Sequence, residues 1–204
     1  MFLTMIDSVN CLPGTQHAST QASEWVQRWS HLACAPGHML DLACGSGRHM
    51  HWFQQLGFQT TGVDRDPHAL MRASEFGRVM EADVENAPWP LLVAGQVQQF
   101  DVVVVTNYLW RALFPVVLQS LAPGGLLLYE TFTQGNESVG RPARPDFLLR
   151  PGELLQVCQK LHLVAYENGF LNQPERFVQR IAAVNQVAGE RPNAHLPRHP
   201  LSLK

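Results

Sequence analysis

One short segment of this chain, DLACGSGRHMHWF at residues 41–53, combines a carboxylate, two glycines and a helix-like continuation. An apolar run precedes the segment, so it follows a predicted buried strand. Gly45 and Gly47 let a ligand approach the backbone, and N–H groups at the start of a helix can face that ligand. The segment therefore predicts a binding loop for a nucleotide-like molecule.

The loop departs from the dinucleotide fingerprint G-x-G-x-x-G. Gly45 and Gly47 match its first two glycines, but Met50 occupies the third position. Asp41 lies four residues before Gly45, where a carboxylate would repel a pyrophosphate and attract a sulfonium or an ammonium group. The loop therefore favours S-adenosylmethionine over NAD.

Two further carboxylates follow the next two predicted strands. Asp64 lies nineteen residues after Gly45, a spacing at which an acid can accept the hydroxyls of a ribose. Arg65 suggests a 2′-phosphate pocket, but Asp64 would repel that phosphate, which argues against NADP. Asp83 is placed to accept the adenine amino group, and the backbone N–H of Val84 can face the ring. Three acids after three successive strands are harder to explain as turn residues than any one of them.

The fourth predicted strand ends in TNYLWR, which places Asn107 and Tyr108 beside the reactive end of the cofactor. Enzymes that methylate amino groups of nucleic acids or of glutamine carry an Asn/Asp-Pro-Pro-aromatic motif at this position. Both prolines are absent here, which disfavours methylation of adenine N6 or of glutamine. No residue is a convincing general base, and Tyr108, His49 and Glu130 are weak candidates. His49 and His51 are two residues apart on a helix, so they do not face a common metal.

A long segment without periodicity, residues 133–150, follows the fifth predicted strand. Such loops in compact domains are usually functional or disordered. Its arginines would favour an anionic substrate, and a solvated crossover is an equally good interpretation. The predicted substrate-loop residues are Asn136, Glu137, Arg141, Arg144 and Arg150.

Strands and helices alternate along the chain, and an antiparallel hairpin follows. This pattern predicts an α/β fold with a doubly wound, mostly parallel sheet, whose ligands bind beyond the carboxyl ends of the strands. We expect a flexible N-terminal segment over residues 1–22, the α/β domain over 23–187, and a disordered tail over 188–204.

Composition narrows the class of protein further. The 204 residues carry a net charge of −2, which gives no support for nucleic-acid binding. No apolar run reaches the length of a membrane span, and the chain does not start like a signal peptide. Its four cysteines are scattered without a Cys-x-x-Cys pair, so we expect no zinc site and a cytoplasmic location with reduced thiols. The partner is expected to be a small molecule, and monomer or homodimer stays open.

Five segments resemble, in order and at the usual spacing, the motifs of class I S-adenosylmethionine-dependent methyltransferases. The resemblance covers roughly residues 23–187. The Gly-Arg-His ending of the first motif and the small size look most like a bacterial group near the tellurite-resistance methyltransferases. The segments are LDLACGSGRH, VDRD, EADVENAPWP, FDVVVVTNYLW and LAPGGLLLYETF.

The resemblance implies a Rossmann-like, seven-stranded sheet in the order 3-2-1-4-5-7-6 with one antiparallel strand. It also implies a binding site for S-adenosylmethionine, with S-adenosylhomocysteine as the product. Trp25 of the N-terminal helix would cover the cofactor, and His49 would lie near it. The other implied contacts are Asp41, Ala43, Gly45 and Gly47 at the methionine part, Asp64 and Arg65 at the ribose, Asp83 and Val84 at the adenine, and Asn107 and Tyr108 near the methyl group.

Methyl transfer from a sulfonium depends on orientation and exclusion of water, and needs a base only when the nucleophile carries a proton. We therefore expect a methyltransferase that acts on a small, soft or already ionised acceptor, such as a thiol or a metalloid oxyanion. The alternatives are a non-catalytic module that binds S-adenosylmethionine or S-adenosylhomocysteine, and an NAD-dependent oxidoreductase. Methylation of RNA or protein is disfavoured because no basic patch is evident.

Overall fold

The computed structural model describes residues 21–186, 199 and 201, and in it strands and helices alternate. The predicted terminal segments, 1–22 and 188–204, lie almost entirely outside the described residues. The helices are α1 (Glu24–Trp29), α2 (Arg48–Gln55), α3 (Pro67–Ala73), α4 (Phe114–Gln119) and α5 (Glu153–Val157). The strands are β1 (His38–Leu42), β2 (Gln59–Asp64), β3 (Arg78–Glu81), β4 (Leu92–Val93), β5 (Gln96–Val97), β6 (Phe100–Thr106), β7 (Leu121–Phe132), β8 (His162–Asn172) and β9 (Glu175–Val184).

Seven of these strands form one sheet in the order β3-β2-β1-β6-β7-β9-β8, while β4 and β5 form a separate hairpin. Strand β9 is antiparallel to both β7 and β8, and the remaining neighbours in the sheet are parallel. Counted without the hairpin, the order is 3-2-1-4-5-7-6 with one antiparallel strand, which confirms the predicted fold class. The strand order reverses between β1 and β6, so a ligand is expected beyond their carboxyl ends.

The sheet is covered by apolar side chains on both faces. Because successive side chains of a strand point to opposite faces, Met39 and Val102 pack with Trp25 of α1 on one side. On the other side, Leu40 and Val103 belong to a second cluster that also contains buried residues of α4 and α5. Burial on both faces explains why the central strand β6 has a nearly continuous apolar sequence.

The helix boundaries follow local chemistry that the sequence displays. The Ser23 hydroxyl accepts a hydrogen bond from the Val26 N–H at 3.2 Å and caps α1, and Pro67 lies in the first turn of α3. Pro115 lies in the first turn of α4, so this helix begins late instead of bending, and the missing proline N–H is not needed there. None of the helices in the described part of the chain is long and apolar enough to cross a membrane.

Three details differ from the sequence-based expectation. Strand β3 ends at Glu81, so Asp83 lies in the following turn and not at the strand end. Strand β7 starts at Leu121, before the predicted turn, and pairs with β6 through an irregular register near Phe100. The hairpin β4–β5 was not predicted, because two-residue strands with exposed side chains carry no hydrophobic periodicity.

In the G-x-G-x-x-G fingerprint the third glycine lets the helix pack closely on the sheet. In this chain a glycine of the neighbouring strand β2 provides the space for that packing. Met50 of α2 is fully buried against Gly62 of β2, where an added Cβ would collide with Met50 Sδ and lie 2.7 Å from Cys44 Sγ. At Gly47 an added Cβ would lie 2.9 Å from the Ala73 Cα of α3. The close packing of α2 therefore depends on Gly62 and Gly47.

We predict that Gly62→Ala lowers the free energy of unfolding by about 1–3 kcal/mol, because it overpacks the contact between β2 and α2. Urea denaturation monitored by circular dichroism measures the change. Gly169→Ala in β8 is the matched control, because a Cβ at Gly169 meets no atom within 4 Å. Its effect should stay within about 0.5 kcal/mol. Equal losses in the two variants would contradict the packing argument.

Candidate functional site

A cavity of about 400 Å³ opens at the carboxyl ends of the central strands. Seven of the twelve predicted cofactor-binding residues line it, namely Ala43, Asp64, Arg65, Asp83, Val84, Asn107 and Tyr108. The other lining residues are Val63, Ala82, Glu85, Leu109, Thr131, Phe132, Pro142 and Phe147. The strand ends thus converge as a parallel sheet requires.

The glycine loop has left-handed backbone at three positions, with φ of 56° at Ala43, 52° at Gly45 and 79° at Gly47. A Cβ at Gly45 would meet no atom within 4 Å, so the backbone there is open to a ligand. Asn107, at the end of β6, also has a positive φ of 53°. Non-glycine residues rarely adopt this conformation, and two of the three that do so in the described part of the chain, Ala43 and Asn107, line the cavity.

Asp64 connects the loop to the second strand. Its Oδ2 accepts a hydrogen bond from the Gly45 N–H at 2.8 Å, and its Oδ1 accepts one from the Asp66 N–H at 3.0 Å. A carboxylate has about four lone-pair positions, so Asp64 keeps capacity for further donors from the cavity. It can therefore accept hydroxyl groups of a nucleoside while it holds the glycine loop.

Asp83 mainly shapes the turn in which it lies. The side chain of Asn86 donates to its Oδ2 at 2.8 Å and the Glu85 N–H donates to its Oδ1 at 3.1 Å, and these bonds lower the pKa of Asp83. Glu85 also lines the cavity and accepts a hydrogen bond from the Tyr108 hydroxyl at 3.3 Å. The sequence offered one indication that Glu85 belongs to the site, because it lies two residues after Asp83 and both acids fall in one short turn.

Asp41 is fully buried on the face of the sheet that packs against α2. Neither of its carboxylate oxygens has a hydrogen-bond partner among the described residues. The ring of His49 lies beside it, with Nδ1 3.5 Å from Asp41 Oδ2 and with Nε2 accepting the Ser23 N–H at 3.3 Å. These contacts assign the ring proton of neutral His49 to Nδ1. A buried carboxylate without hydrogen bonds is rare and fits an ammonium-bearing ligand.

None of the three weak base candidates is free to remove a proton. Burial, followed by the nearby Glu85, raises the pKa of Tyr108, which keeps its phenol protonated at neutral pH. Both ring nitrogens of His49 face protein atoms, and its side chain is 2% exposed. Glu130 is paired with Arg176 and Arg180, each at 3.4 Å.

Trp25 and the loop glycines are not among the cavity-lining residues. The Trp25 indole is fully buried, donates to the Ile181 carbonyl at 3.2 Å and lies under the guanidinium of Arg180. It is a core residue of α1, because the apolar face of that helix packs onto the sheet. Asp41 and His49 likewise do not line the cavity.

The loop at 133–150 reaches the cavity through residues other than the predicted ones. Pro142 and Phe147 line it, whereas Asn136 is buried and donates to the Pro142 carbonyl at 3.0 Å. The arginines are exposed, and Arg144 pairs with Asp146 at 2.9 Å. The loop is bonded to β9 through Asn136, and it buries Leu148 and Leu149 while Phe147 stays 37% exposed and the charged side chains lie in water. The predicted residues outside the cavity lining are Asn136, Glu137, Arg141, Arg144 and Arg150.

Comparisons with known proteins agree with this architecture. A family model described as a methyltransferase domain matches residues 15–183, and no curated protein matches the chain. TehB from Haemophilus influenzae has a TM-score of 0.62 at 18% identity, over 80% of this chain and 62% of TehB. The chain thus spans less than two thirds of TehB.

Two further solved structures have the same fold. A methyltransferase described as SAM-dependent, from Methanosarcina mazei, has a TM-score of 0.61 at 13% identity, over 82% of this chain and 99% of its own. A TehB-like methyltransferase from Corynebacterium glutamicum has a TM-score of 0.52 at 19% identity, over 79% and 86%. At these identities the structural likeness establishes the fold alone.

We predict that Asp41→Asn weakens binding of S-adenosylmethionine by about tenfold or more, because an ammonium group loses its charged partner. The unliganded variant should be at least as stable as the wild type, because the substitution removes a buried carboxylate without hydrogen bonds. Isothermal titration calorimetry and thermal unfolding measure the two effects. Asp101→Asn, at the opposite end of β6, is the control and should leave affinity unchanged. Undiminished affinity of Asp41→Asn would refute the assignment.

Proposed function

We propose that this chain, which belongs to the methyltransferase domain family and uses S-adenosylmethionine as its methyl donor, methylates a small, soft or already ionised acceptor. One observation carries the choice of acceptor. Each of the candidate bases Tyr108, His49 and Glu130 is protonated, enclosed or paired with arginines. An acceptor that needs no deprotonation by the protein fits such a site.

The cofactor would occupy the acidic end of the cavity. Asp64, Asp83 and Glu85 are there with Arg65, so negative charge predominates beside a ligand that carries a sulfonium and an ammonium group. We propose that Asp64 holds the ribose, that Asp83 and Val84 adjoin the adenine, and that Asp41 receives the ammonium group. The order of these residues along the sheet, from β1 to the turn after β3, supports this direction of binding.

The acceptor would occupy the other end of the cavity. Thr131, Phe132, Pro142 and Phe147 line that end, and none of them carries a charge. An apolar wall favours a weakly hydrated nucleophile such as a thiolate or a reduced metalloid over a strongly hydrated anion. The exposed arginines of the loop therefore give less support for an anionic acceptor than their number in the sequence suggests.

The residues of this chain would contribute orientation and exclusion of water. When bound, S-adenosylmethionine supplies a methyl group on a positively charged sulfur, and the acceptor's lone pair displaces that sulfur in line. Asn107 and Tyr108 would flank the reacting groups, with the Asn107 backbone fixed by a hydrogen bond from its N–H to the Glu130 carbonyl at 2.9 Å. Orientation of this kind can supply several kcal/mol of the barrier reduction.

Location and partners belong to the same proposal. Cys34, Cys44 and Cys158 are free thiols among the described residues, as a reducing cytoplasm allows. Burial raises the pKa of the Cys44 thiol, so this cysteine is not proposed as a nucleophile. We propose a small-molecule partner without nucleic acid, for a monomer or a homodimer.

The test is a methylation screen of thiols, selenite, tellurite and a cell extract, with methyl-labelled S-adenosylmethionine and mass spectrometry as the readout. We expect a labelled small molecule and S-adenosylhomocysteine in equal amounts. Asp64→Ala should bind the cofactor about tenfold or more weakly and lose activity accordingly. Tight cofactor binding with no labelled product would favour the non-catalytic alternative. Labelled RNA or protein would overturn the small-molecule proposal.

We predict that Tyr108→Phe changes kcat/KM for a thiol acceptor by about threefold or less, because a protonated phenol removes no proton. For the wild type, kcat/KM should rise with pH through the pKa of the acceptor thiol, because the thiolate is the nucleophile. Replacing the acceptor by a more acidic thiol should move the midpoint to lower pH. A midpoint independent of the acceptor and lost in Tyr108→Phe would identify Tyr108 as the base.

A further inference from the structure

We infer that Arg111 is a positioning residue that latches the loop at 133–150 and thereby limits the size of acceptor that the cavity admits. The inference rests on the proposed function, because it concerns the acceptor end of the cavity. Arg111 begins a short 3-10 turn, two residues after the cavity-lining Leu109. Its backbone therefore lies next to the cavity lining, while its side chain reaches the loop.

The contacts of Arg111 are numerous and short. Its Nε donates to Glu153 Oε1 at 2.7 Å and its Nη2 to Glu153 Oε2 at 3.0 Å, which is a bidentate pair. Its Nη1 donates to the Asp146 carbonyl and its Nη2 to the Leu148 carbonyl, both at 2.8 Å. One guanidinium therefore joins the start of α5 to two backbone positions of the loop.

The two carbonyls that Arg111 holds flank Phe147. Phe147 and Pro142 are the loop residues that line the cavity. The contacts of Arg111 on both sides of Phe147 therefore set the position of this part of the cavity lining. Asn136 holds the Pro142 carbonyl from the other side, and its Oδ1 accepts the Phe177 N–H of β9 at 3.1 Å. The loop residues that line the cavity are therefore held by two anchors, Arg111 near Phe147 and Asn136 at Pro142.

The pair differs from an ordinary surface ion pair. The side chains of Arg111 and Glu153 are 34% and 13% exposed, and their hydrogen bond raises the pKa of Arg111. Glu153 also accepts the Arg150 N–H at 2.8 Å, so it fastens the end of the loop as well. Arg28 and Glu167, outside the loop, form a pair whose side chains are 46% and 42% exposed, and such pairs contribute little. Arg144 is no control, because its guanidinium lies over the Phe147 ring, 5.2 Å from the centroid, so Arg28 provides the control arginine.

The experiment compares Arg111→Lys and Arg111→Ala with the control Arg28→Ala and with the wild type. The lysine keeps the charge but cannot make the bidentate contact. For each protein, kcat/KM is measured with 2-mercaptoethanol and with the bulkier thiophenol, and the ratio of the two is compared, because the intrinsic reactivities of the thiols then cancel. Calorimetry gives the Kd for S-adenosylmethionine, and hydrogen exchange reports the amides at 147–149.

In both Arg111 variants we expect the ratio to shift towards thiophenol by about tenfold or more, with faster exchange at 147–149. The Kd for S-adenosylmethionine should stay within roughly twofold, because the latch does not touch Asp64 or Asp83. Arg28→Ala should match the wild type in all three measurements. An unchanged ratio in Arg111→Lys, or the same changes in Arg28→Ala, would overturn the role of Arg111 in acceptor choice.

Two outcomes separate the latch from the proposed function. If the wild type methylates neither thiol, the proposed soft acceptor fails, and hydrogen exchange alone decides whether Arg111 holds the loop. If Arg111→Ala does not fold, Arg111→Lys and Glu153→Gln test the same contact with smaller changes. Faster hydrogen exchange at the amides of 147–149, with an unchanged ratio of kcat/KM for the two thiols, would show that Arg111 holds the loop. The same result would overturn the role of Arg111 in acceptor choice.

Discussion

The hydrogen bond from the Gly45 N–H to Asp64 Oδ2, at 2.8 Å, joins the ends of β1 and β2 into one site. Neither end forms a cavity alone, since Gly45 and Gly47 have no side chains with which to fix the loop and Asp64 is a single acid at a strand end. The loop conformation, with a positive φ at Ala43, Gly45 and Gly47, persists only if such contacts fix it. The rest of the site, from the turn at Asp83 to the loop wall at Phe147, is arranged around this junction.

The site concentrates features that cost stability. Asp41 is fully buried without a hydrogen bond to the described residues, and Ala43 and Asn107 have strained backbone. Ordinary protein interiors avoid both features because each raises the free energy of the folded chain. Their presence within one region is typical of a binding site, where the ligand supplies the missing donors. The apolar packing of β6 and its neighbours offsets the cost elsewhere in the sheet.

Much of the fold could be predicted because apolar periodicity and turn residues act locally. The long apolar strand β6, the cap at Ser23 and the first-turn proline at Pro67 all appear in the structure where the sequence indicated them. The short hairpin β4–β5 and the end of β3 could not be predicted, because two or three exposed residues carry no periodic signal. The resemblance to the methyltransferase family implied that Trp25 covers the cofactor, whereas the structure buries its side chain in the core, a difference that sequence position alone does not reveal.

The sequence by itself determined the fold class, the family and the set of strand-end residues, because parallel strands must end at a common edge and their motifs occur in order. Only the tertiary structure decided which residues face the cavity, since residues far apart in the chain compete for the same partners. Asn136 is buried by contacts with Pro142 and Phe177, and the arginines near it are left in water. Arg111 meets Glu153 across 42 residues of chain, a distance over which sequence spacing carries no information about contact.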